Sequence, residues 1–119
     1  MMENIGNLVK ALERLAQFDI NMQLSTAMSL LYVARFQDRD GGVTTSDLTN
    51  WLGLSTASAS RNSYYWADGT KDMPNSGYNL ITVVPDPVDR RRRQLRLTPR
   101  GEAFIRQLDE QFSTQSTRV

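Results

Sequence analysis

The stretch that decides the fold covers residues 82–101 and reads Thr-Val-Val-Pro-Asp-Pro-Val-Asp-Arg-Arg-Arg-Arg-Gln-Leu-Arg-Leu-Thr-Pro-Arg-Gly. The apolar, β-branched run at 81–84 ends at a Pro-Asp-Pro sequence, and polar and apolar residues alternate again over 94–97. Such patterns predict β-strands. Four consecutive arginines, 90–93, lie between the two strands. The stretch therefore predicts a β-hairpin with a cationic tip, which we call the wing (residues 81–97).

A helix is predicted directly after the hairpin, over 99–112. Thr98 stands at the N-cap, Pro99 takes the first helical position, where a missing N–H costs nothing, and Glu102 lies near the positive end of the helix dipole. The apolar residues of this helix fall on one face, which we expect to meet the first helix of the chain: Ala103, Phe104, Ile105, Leu108 and Phe112.

The arginine run has two interpretations. Runs of charge often face water, so the tip could be a solvated loop. Four adjacent like charges repel one another, however, and a polyanion that neutralises them explains a compact cationic loop better. We therefore favour a polyanionic partner.

Composition bounds the remaining possibilities. A chain of 119 residues suits one domain, 1–119, with a core that needs no metal or disulfide. The absence of cysteine and histidine excludes thiolate redox sensing, zinc-finger ligation and histidine-activated nucleophiles. Residues 1–60 carry four Lys/Arg and six Asp/Glu, whereas residues 61–119 carry ten and seven. The positive charge is therefore local and centred on the wing.

Two amphipathic segments precede the middle of the chain. Residues 4–18 place Ile5, Leu8, Leu12 and Leu15 on one helical face, which could pack on its own domain or on a second copy. A more apolar helix is predicted over 22–36, with capping side chains offered by Asp19 and Asn21 and with its methionines as core filling. A polar, glycine-ended break follows at 37–42.

Two short helices are predicted next, over 45–52 and 56–66. Thr44 with Asp47 forms a capping-box pattern, Gly53 ends the first helix, and Ser55 caps the second. Short helices joined by a glycine-containing turn form a helix-turn-helix, whose second helix enters the DNA major groove. The fold class predicted is α+β, mostly α, with a two-stranded hairpin beside the helix-turn-helix.

The chain resembles the MarR-type winged helix-turn-helix transcription regulators. Their wing signature, Asp-x-Arg, three residues, Leu-x-Leu-Thr, two residues, Gly, is filled at every fixed position over 89–101. Residues 47–55 are similar to the family's stretch ending Leu-Gly-Leu-Ser, and 58–61 to its Thr-Val-Ser-Arg. The resemblance covers 43–101, while the flanking helices agree in pattern only.

Three departures from the family pattern stand out. Ala59, Asn62 and Ser63 replace apolar residues that bury the recognition helix, which predicts a weakly anchored helix that relies on residues 64–66. The link from this helix to the wing, 67–79, is longer and rich in turn residues. A polar tail, 113–119, stands in place of the family's second C-terminal helix. The family's two-fold dimer through terminal helices, here 1–18 and 98–112, is still expected, with a smaller or rearranged interface.

Binding residues follow from helical periodicity and from the resemblance. On the recognition helix, Arg61 is the candidate for a bidentate guanine contact, with a salt bridge or phosphate clamp as the alternative. Hydroxyls and the helix N-terminus suit phosphates or base edges, and Ala57 a thymine methyl. By resemblance, Asp89 would orient Arg91 into the minor groove, while the other wing arginines neutralise phosphates. The predicted set is Ser55, Thr56, Ala57, Ser58, Ser60, Arg61, Tyr64, Asp89, Arg90, Arg91, Arg92, Arg93 and Arg96.

The sequence thus predicts a homodimeric, sequence-specific regulator that binds double-stranded DNA, more in keeping with a repressor than an activator. The alternative is a protein-interaction adaptor that uses Trp51, the aromatic run 64–66 and the long link to bind a polymerase or another transcription component. Trp51 is otherwise expected to pack in the core or against the long link. Nothing in the pattern favours an enzyme, a cofactor or a metal.

Effectors of the resembled family bind between the dimerisation helices and the DNA-binding part. The short C-terminus argues against a small-molecule effector of this chain. Without an apolar span or signal peptide, we expect a cytoplasmic protein.

Overall fold

The computed structural model describes residues 2–69 and 77–113. The described residues form helices, three strands and short turns in a single winged arrangement. In chain order these are α1 Met2–Ala16, α2 Leu24–Phe36, β1 Val43–Thr44, α3 Thr45–Leu52, α4 Thr56–Trp66, β2 Ile81–Pro85, β3 Arg93–Leu97 and α5 Pro99–Ser113. The predicted helix-turn-helix, hairpin and terminal helices are all present. None of the helices in the described ranges is long and apolar enough to cross a bilayer.

The wing is an antiparallel hairpin, as the sequence predicted, and it forms part of a three-stranded sheet of order β1-β3-β2. Leu95 lies at the centre of the sheet, opposite Val43 on one side and Val83 on the other, and is fully buried. The short strand β1 was not predicted. It joins β3 of the wing to the chain just before α3.

Local capping signals set the ends of α3 and α4. The Thr44 hydroxyl accepts the Asp47 N–H (3.2 Å) and the Asp47 carboxylate accepts the Thr44 N–H (2.9 Å), which completes the predicted capping box. Gly53 adopts the left-handed conformation (φ 66°) that ends a helix without steric cost. Ser55 Oγ accepts the Ser58 N–H at 3.1 Å. Both helices therefore begin and end where the sequence predicted.

The start of α2 differs from the prediction. The helix begins at Leu24, after an N-cap at Gln23 that makes no side-chain capping bond. Asp19 instead accepts the N–H of Asn21 (2.9 Å) and closes the turn between α1 and α2. The prediction that Asp19 and Asn21 cap α2 is therefore wrong. The Asp19 carboxylate is bound to a backbone N–H within the preceding turn, and the N-cap position is Gln23.

The predicted N-terminus of α5 is confirmed, and it lies tightly against the chain before β2. Thr98 Oγ1 accepts the Gly101 N–H (2.9 Å), and the Thr98 N–H donates to the Leu80 carbonyl (3.0 Å). A Cβ on Gly101 would overlap that same Leu80 carbonyl. Glycine is therefore required here by close backbone approach.

The core lies between α2, the helix-turn-helix and the sheet. Its fully buried side chains include Leu30, Val33, Leu48, Leu95 and Trp66. Trp51 packs on α2 at the edge of the core, which is one of its two expected placements, with its ring centroid 5.5 Å from Tyr32 and 5.1 Å from Phe36. The expected contact with the long link stays a prediction, because 70–76 lie outside the described residues.

The outer helices α1 and α5 pack together, as expected. Asn7, Ala11 and Leu15 are the buried residues of α1. Four other apolar side chains of the helix remain about half exposed: Ile5, Leu8, Val9 and Leu12. An apolar face of α1 is thus left uncovered in the single chain.

Candidate nucleic-acid interface

The recognition helix predicted from the sequence is α4, and its two faces differ sharply in burial. Ala59, Asn62, Ser63 and Trp66 are buried. The predicted outward residues are exposed (Thr56, Ala57, Arg61) or partly exposed (Ser58, Ser60, Tyr64), and the N-cap Ser55 is exposed too. A small, hydroxyl-rich surface with one arginine is therefore available to a partner.

The N-terminal turn of α4 is organised by hydroxyl groups. Ser55 Oγ both accepts the Ser58 N–H (3.1 Å) and donates to Ser58 Oγ (3.1 Å). The Arg61 guanidinium donates to that same Ser58 Oγ at 3.2 Å. No ion pair involves Arg61 among the described residues. The guanidinium is therefore held at the exposed surface with donor groups to spare.

The anchoring of α4 corrects one expectation. Asn62 was expected to weaken the seat of this helix, yet its side-chain oxygen accepts a buried hydrogen bond from the Thr26 hydroxyl of α2 (2.8 Å). The Trp66 indole N–H donates to the Thr26 carbonyl at 2.7 Å. The helix is thus seated on α2 through directional polar contacts.

Two aspartates shape the turn at the tip of the wing. Asp86 Oδ1 accepts the N–H groups of Val88 (2.7 Å) and Asp89 (3.2 Å). Asp89 Oδ1 accepts the N–H of Arg91 (3.0 Å). The backbone N–H of Asp86 donates to the Arg92 carbonyl (3.0 Å), which closes the turn. These carboxylates therefore act first as acceptors for the backbone.

The tip arginines share few acidic partners. Arg91 Nε and Nη2 approach the two Asp89 oxygens at 3.2 and 3.4 Å and form a fork, which agrees with the charge-assisted contact that the resemblance implied. The Arg91 side chain stays 91% exposed. Arg92 Nε lies 3.8 Å from the same carboxylate. Arg93 donates to the Arg90 carbonyl (3.1 Å), and neither of these two arginines has an ion pair within the described residues.

The environment of Asp89 favours its charged form. The Arg91 guanidinium, then the Arg91 backbone N–H and the nearby charge of Arg92 together lower the pKa of Asp89 below its ordinary value of 3.8. The carboxylate is therefore ionised at neutral pH. It can orient Arg91 without cancelling the charge of the whole tip.

Arg96 is placed differently from the other predicted wing arginines. Its guanidinium donates to the Gln37 carbonyl (3.0 Å) at the end of α2 and pairs with Asp38 (3.2 Å). The Gln37 side-chain oxygen in turn accepts the Leu97 N–H at 2.8 Å. Arg96 and Gln37 thus tie the base of the wing to α2.

A further arginine was missed by sequence reasoning. Arg39 donates to the Gly42 carbonyl (2.7 Å), pairs with Asp47 (2.7 Å) and lies over the Trp51 ring at 4.7 Å. It braces the start of α3 against the turn before β1. The only sequence signal was its position in the polar break, which does not specify these partners.

Outside helix α4 and the wing, we searched the described residues for metal sites and clefts. The described residues contain no cluster of three or more side chains suited to a metal ion. A cleft of about 580 Å³ lies between α1, α2 and α5. Its walls are mostly apolar, and Arg35, Arg106, Glu102 and Asp109 also line it. Within the long link, 67–69 and 77–79 are described, and 70–76 lie outside the described residues.

The fold is similar to that of several solved structures. The DNA complex of Staphylococcus aureus MepR superposes with a TM-score of 0.68 at 21% identity, over 97% of this chain and 84% of that one. RV1404 from Mycobacterium tuberculosis gives 0.64 at 23% identity, over 93% and 67%. A mutant MarR from E. coli gives 0.61 at 16% identity, over 96% and 73%.

No protein-family model matches the sequence, and no curated protein is significantly similar to it. Identities of 16 to 23% show a shared fold and no more. The chain therefore has the winged helix-turn-helix fold of the MarR-type regulators, and the resemblance read from its motifs is confirmed at that level.

Proposed function

We propose that this protein is a transcription regulator that binds double-stranded DNA in a sequence-specific manner and acts as a homodimer. The observation that carries the proposal is the wing tip, where Arg90, Arg91, Arg92 and Arg93 are exposed on a turn built by two aspartates. A cationic finger next to a helix-turn-helix suits the phosphates of a duplex. The DNA-bound state of MepR, which shares the fold, supports the same assignment.

In the proposed complex, α4 enters a major groove. The groove is wide enough for one helix, and the small exposed side chains at the N-terminal end of α4 allow close approach. Arg61 would read a guanine edge with the donors that its bond to Ser58 leaves free. Ala57, exposed one turn earlier, would meet a thymine methyl.

The wing would enter the adjoining minor groove. Arg91 is the residue proposed for insertion, because its side chain is almost fully exposed and its guanidinium plane is fixed by Asp89. An arginine in a narrow minor groove senses width and electrostatic potential. Arg90, Arg92 and Arg93 would contact phosphates on either side.

A second copy of the chain is the occupant proposed for the apolar face of α1. Leu8 and Leu12 are each 46% exposed, and both also line the cleft between α1, α2 and α5. Two-fold pairing of such faces is self-complementary and buries the exposed stripe. It would also place two recognition helices on two half-sites, as a palindromic operator requires. Repression would follow from occupying a promoter.

Two of the aromatic side chains that an adaptor would use are packed within the protein. Trp66 is fully buried, and Trp51 packs against Tyr32 and Phe36. Aromatic side chains act as interface hot spots when they can enter a partner's pocket, and of the run 64–66 only Tyr64 and Tyr65 are partly exposed. The wing exposes Val88 beside the four arginines 90–93, and this excess of positive charge favours a polyanion over a protein surface.

Selection of duplexes from a random pool tests the proposal, followed by a salt titration of the selected duplex. We expect an enriched palindromic sequence and an affinity that falls steeply with salt. Absence of any enrichment, with only weak and salt-labile retention of duplexes, would overturn sequence-specific binding.

A further inference from the structure

The recognition helix α4 is bound to α2 through buried polar contacts. Thr26 receives α4 at two points: its hydroxyl donates to Asn62 Oδ1 (2.8 Å), and its carbonyl accepts the Trp66 indole N–H (2.7 Å). Thr26 is 6%, Asn62 7% and Trp66 0% exposed. The polar residue at position 62 therefore forms a buried hydrogen bond between α2 and α4.

The two contacts lie one helical turn apart on α4, about 6 Å along its axis. Apolar packing is non-directional and tolerates small rotations, whereas hydrogen bonds weaken steeply when bent. Two such bonds to a single residue fix both the rotation and the axial position of α4 on α2. With side chains at a radius of about 5–6 Å, a rotation of about 20° would move an outer side-chain atom by about 2 Å. A displacement of that size breaks a hydrogen bond to a base edge.

Asn62 also destabilises the fold in one respect, because part of its buried side chain lacks a hydrogen-bond partner. Its Nδ2 has no hydrogen-bond partner in the described structure, although the residue is buried. A buried, unsatisfied donor destabilises a fold, and a leucine of similar size would avoid it. Polar groups kept at such a cost can specify one arrangement among several that pack equally well.

We propose that Thr26 and Asn62 are positioning residues that set the rotation of α4, and thereby the alignment of Ala57 and Arg61 with base edges. The inference rests on the proposed function, since it concerns how the same helix reads DNA. Thr26 and Asn62 touch no base themselves. Their substitution should therefore change sequence discrimination more than non-specific affinity.

The test compares Thr26→Val, Asn62→Leu and the double variant with the wild-type dimer, and uses Thr26→Ser as the control that retains the hydroxyl donor. Each protein is measured in two ways. Thermal unfolding gives its stability. Titration with the selected duplex and with a scrambled duplex of equal length and composition gives its specificity ratio.

Either single substitution leaves one buried polar group without its partner, so both single variants should be less stable. The double variant should recover much of that stability, because two apolar groups of similar shape replace the pair. Its specificity ratio should nevertheless fall about tenfold, roughly the discrimination carried by one base contact. Affinity for the scrambled duplex should stay within about twofold, since the wing arginines supply it. Thr26→Ser should keep the wild-type ratio.

A double variant that is stable and keeps the wild-type ratio would overturn this inference and leave the proposed function intact. A wild-type ratio near one would overturn both. Loss of the ratio in Thr26→Ser to the same extent as in Thr26→Val would also count against the inference, because the hydroxyl donor is still present. If a single variant does not fold, the double variant decides the outcome.

Discussion

Replacing Arg93 with glutamine should lower the salt dependence of DNA binding, whereas the same replacement at Arg96 should leave it unchanged. Both residues lie on β3, but their guanidinium groups have different partners. Arg93 donates to the Arg90 carbonyl at the tip and has no ion pair in the described part of the chain. Arg96 is bound to the Gln37 carbonyl and to Asp38 at the end of α2. Of these two arginines, Arg93 is the one placed to neutralise a phosphate.

The size of the effect follows from counterion release. Each phosphate contact contributes about 0.9 to the slope of log affinity against log salt. A dimer carries two wings, so Arg93→Gln should reduce the slope by about 1.8. Over a fourfold rise in salt, from about 50 to about 200 mM, the wild type should then lose about twelvefold more affinity than this variant.

The assay is a fluorescence-anisotropy titration of the selected duplex at several salt concentrations. Arg96→Gln is the matched control, since it removes the same charge from the same strand. It could weaken binding by freeing the base of the wing, but the slope should stay that of the wild type. Equal slope reductions in the two variants would refute the assignment of Arg96 to the link with α2.

Further predictions concern the fold, the wing tip and the dimer. Gly101→Ala should destabilise the protein by about 1–3 kcal/mol, because its Cβ would overlap the Leu80 carbonyl, and thermal unfolding measures the loss. Asp89→Asn should weaken binding to the selected duplex, since it removes the charge that holds Arg91 in its fork. Because the pKa of Asp89 is lowered, this interaction should be complete above the carboxyl's ordinary value of 3.8 and be lost only as the pH falls further, which an NMR titration of the Arg91 amide can follow. Leu8→Glu should convert the proposed dimer to a monomer in sedimentation experiments, as it places a charge on the exposed face of α1.

Elements whose ends depend on neighbouring residues were predictable from the sequence. The capping box at Thr44, the left-handed Gly53 and the cap at Ser55 act within a few residues of the helices they bound. The hairpin was equally local, because its alternation and its turn residues are contiguous. The contact between Asp89 and Arg91 was predictable from the resemblance alone, although its two-bond geometry was not.

Features that depend on partners far away in the sequence could not be predicted from it. Strand β1 has two residues, too few for a periodic pattern, and exists because Val43 and Thr44 pair with β3 much later in the chain. Asn62 was read as a weak point of α4 because its partner, Thr26, lies 36 positions away. The bond from Arg96 to α2 spans 59 positions. The structure at these positions is determined by burial and by pairing with residues that are distant in the sequence.

The acids around the wing bear directly on the choice between a polyanion and self-neutralisation. If the tip neutralised its own charge, each arginine would face its own carboxylate. Instead, one carboxylate, Asp89, serves both Arg91 and Arg92, and Asp86 binds backbone N–H groups. Backbone bonds of this kind hold the turn in shape and leave a surplus of positive charge on it. A rigid turn with uncompensated guanidinium groups costs electrostatic free energy in the free protein. Binding to a polyanion would remove that cost, and this supports the proposed duplex partner over a neutral protein surface.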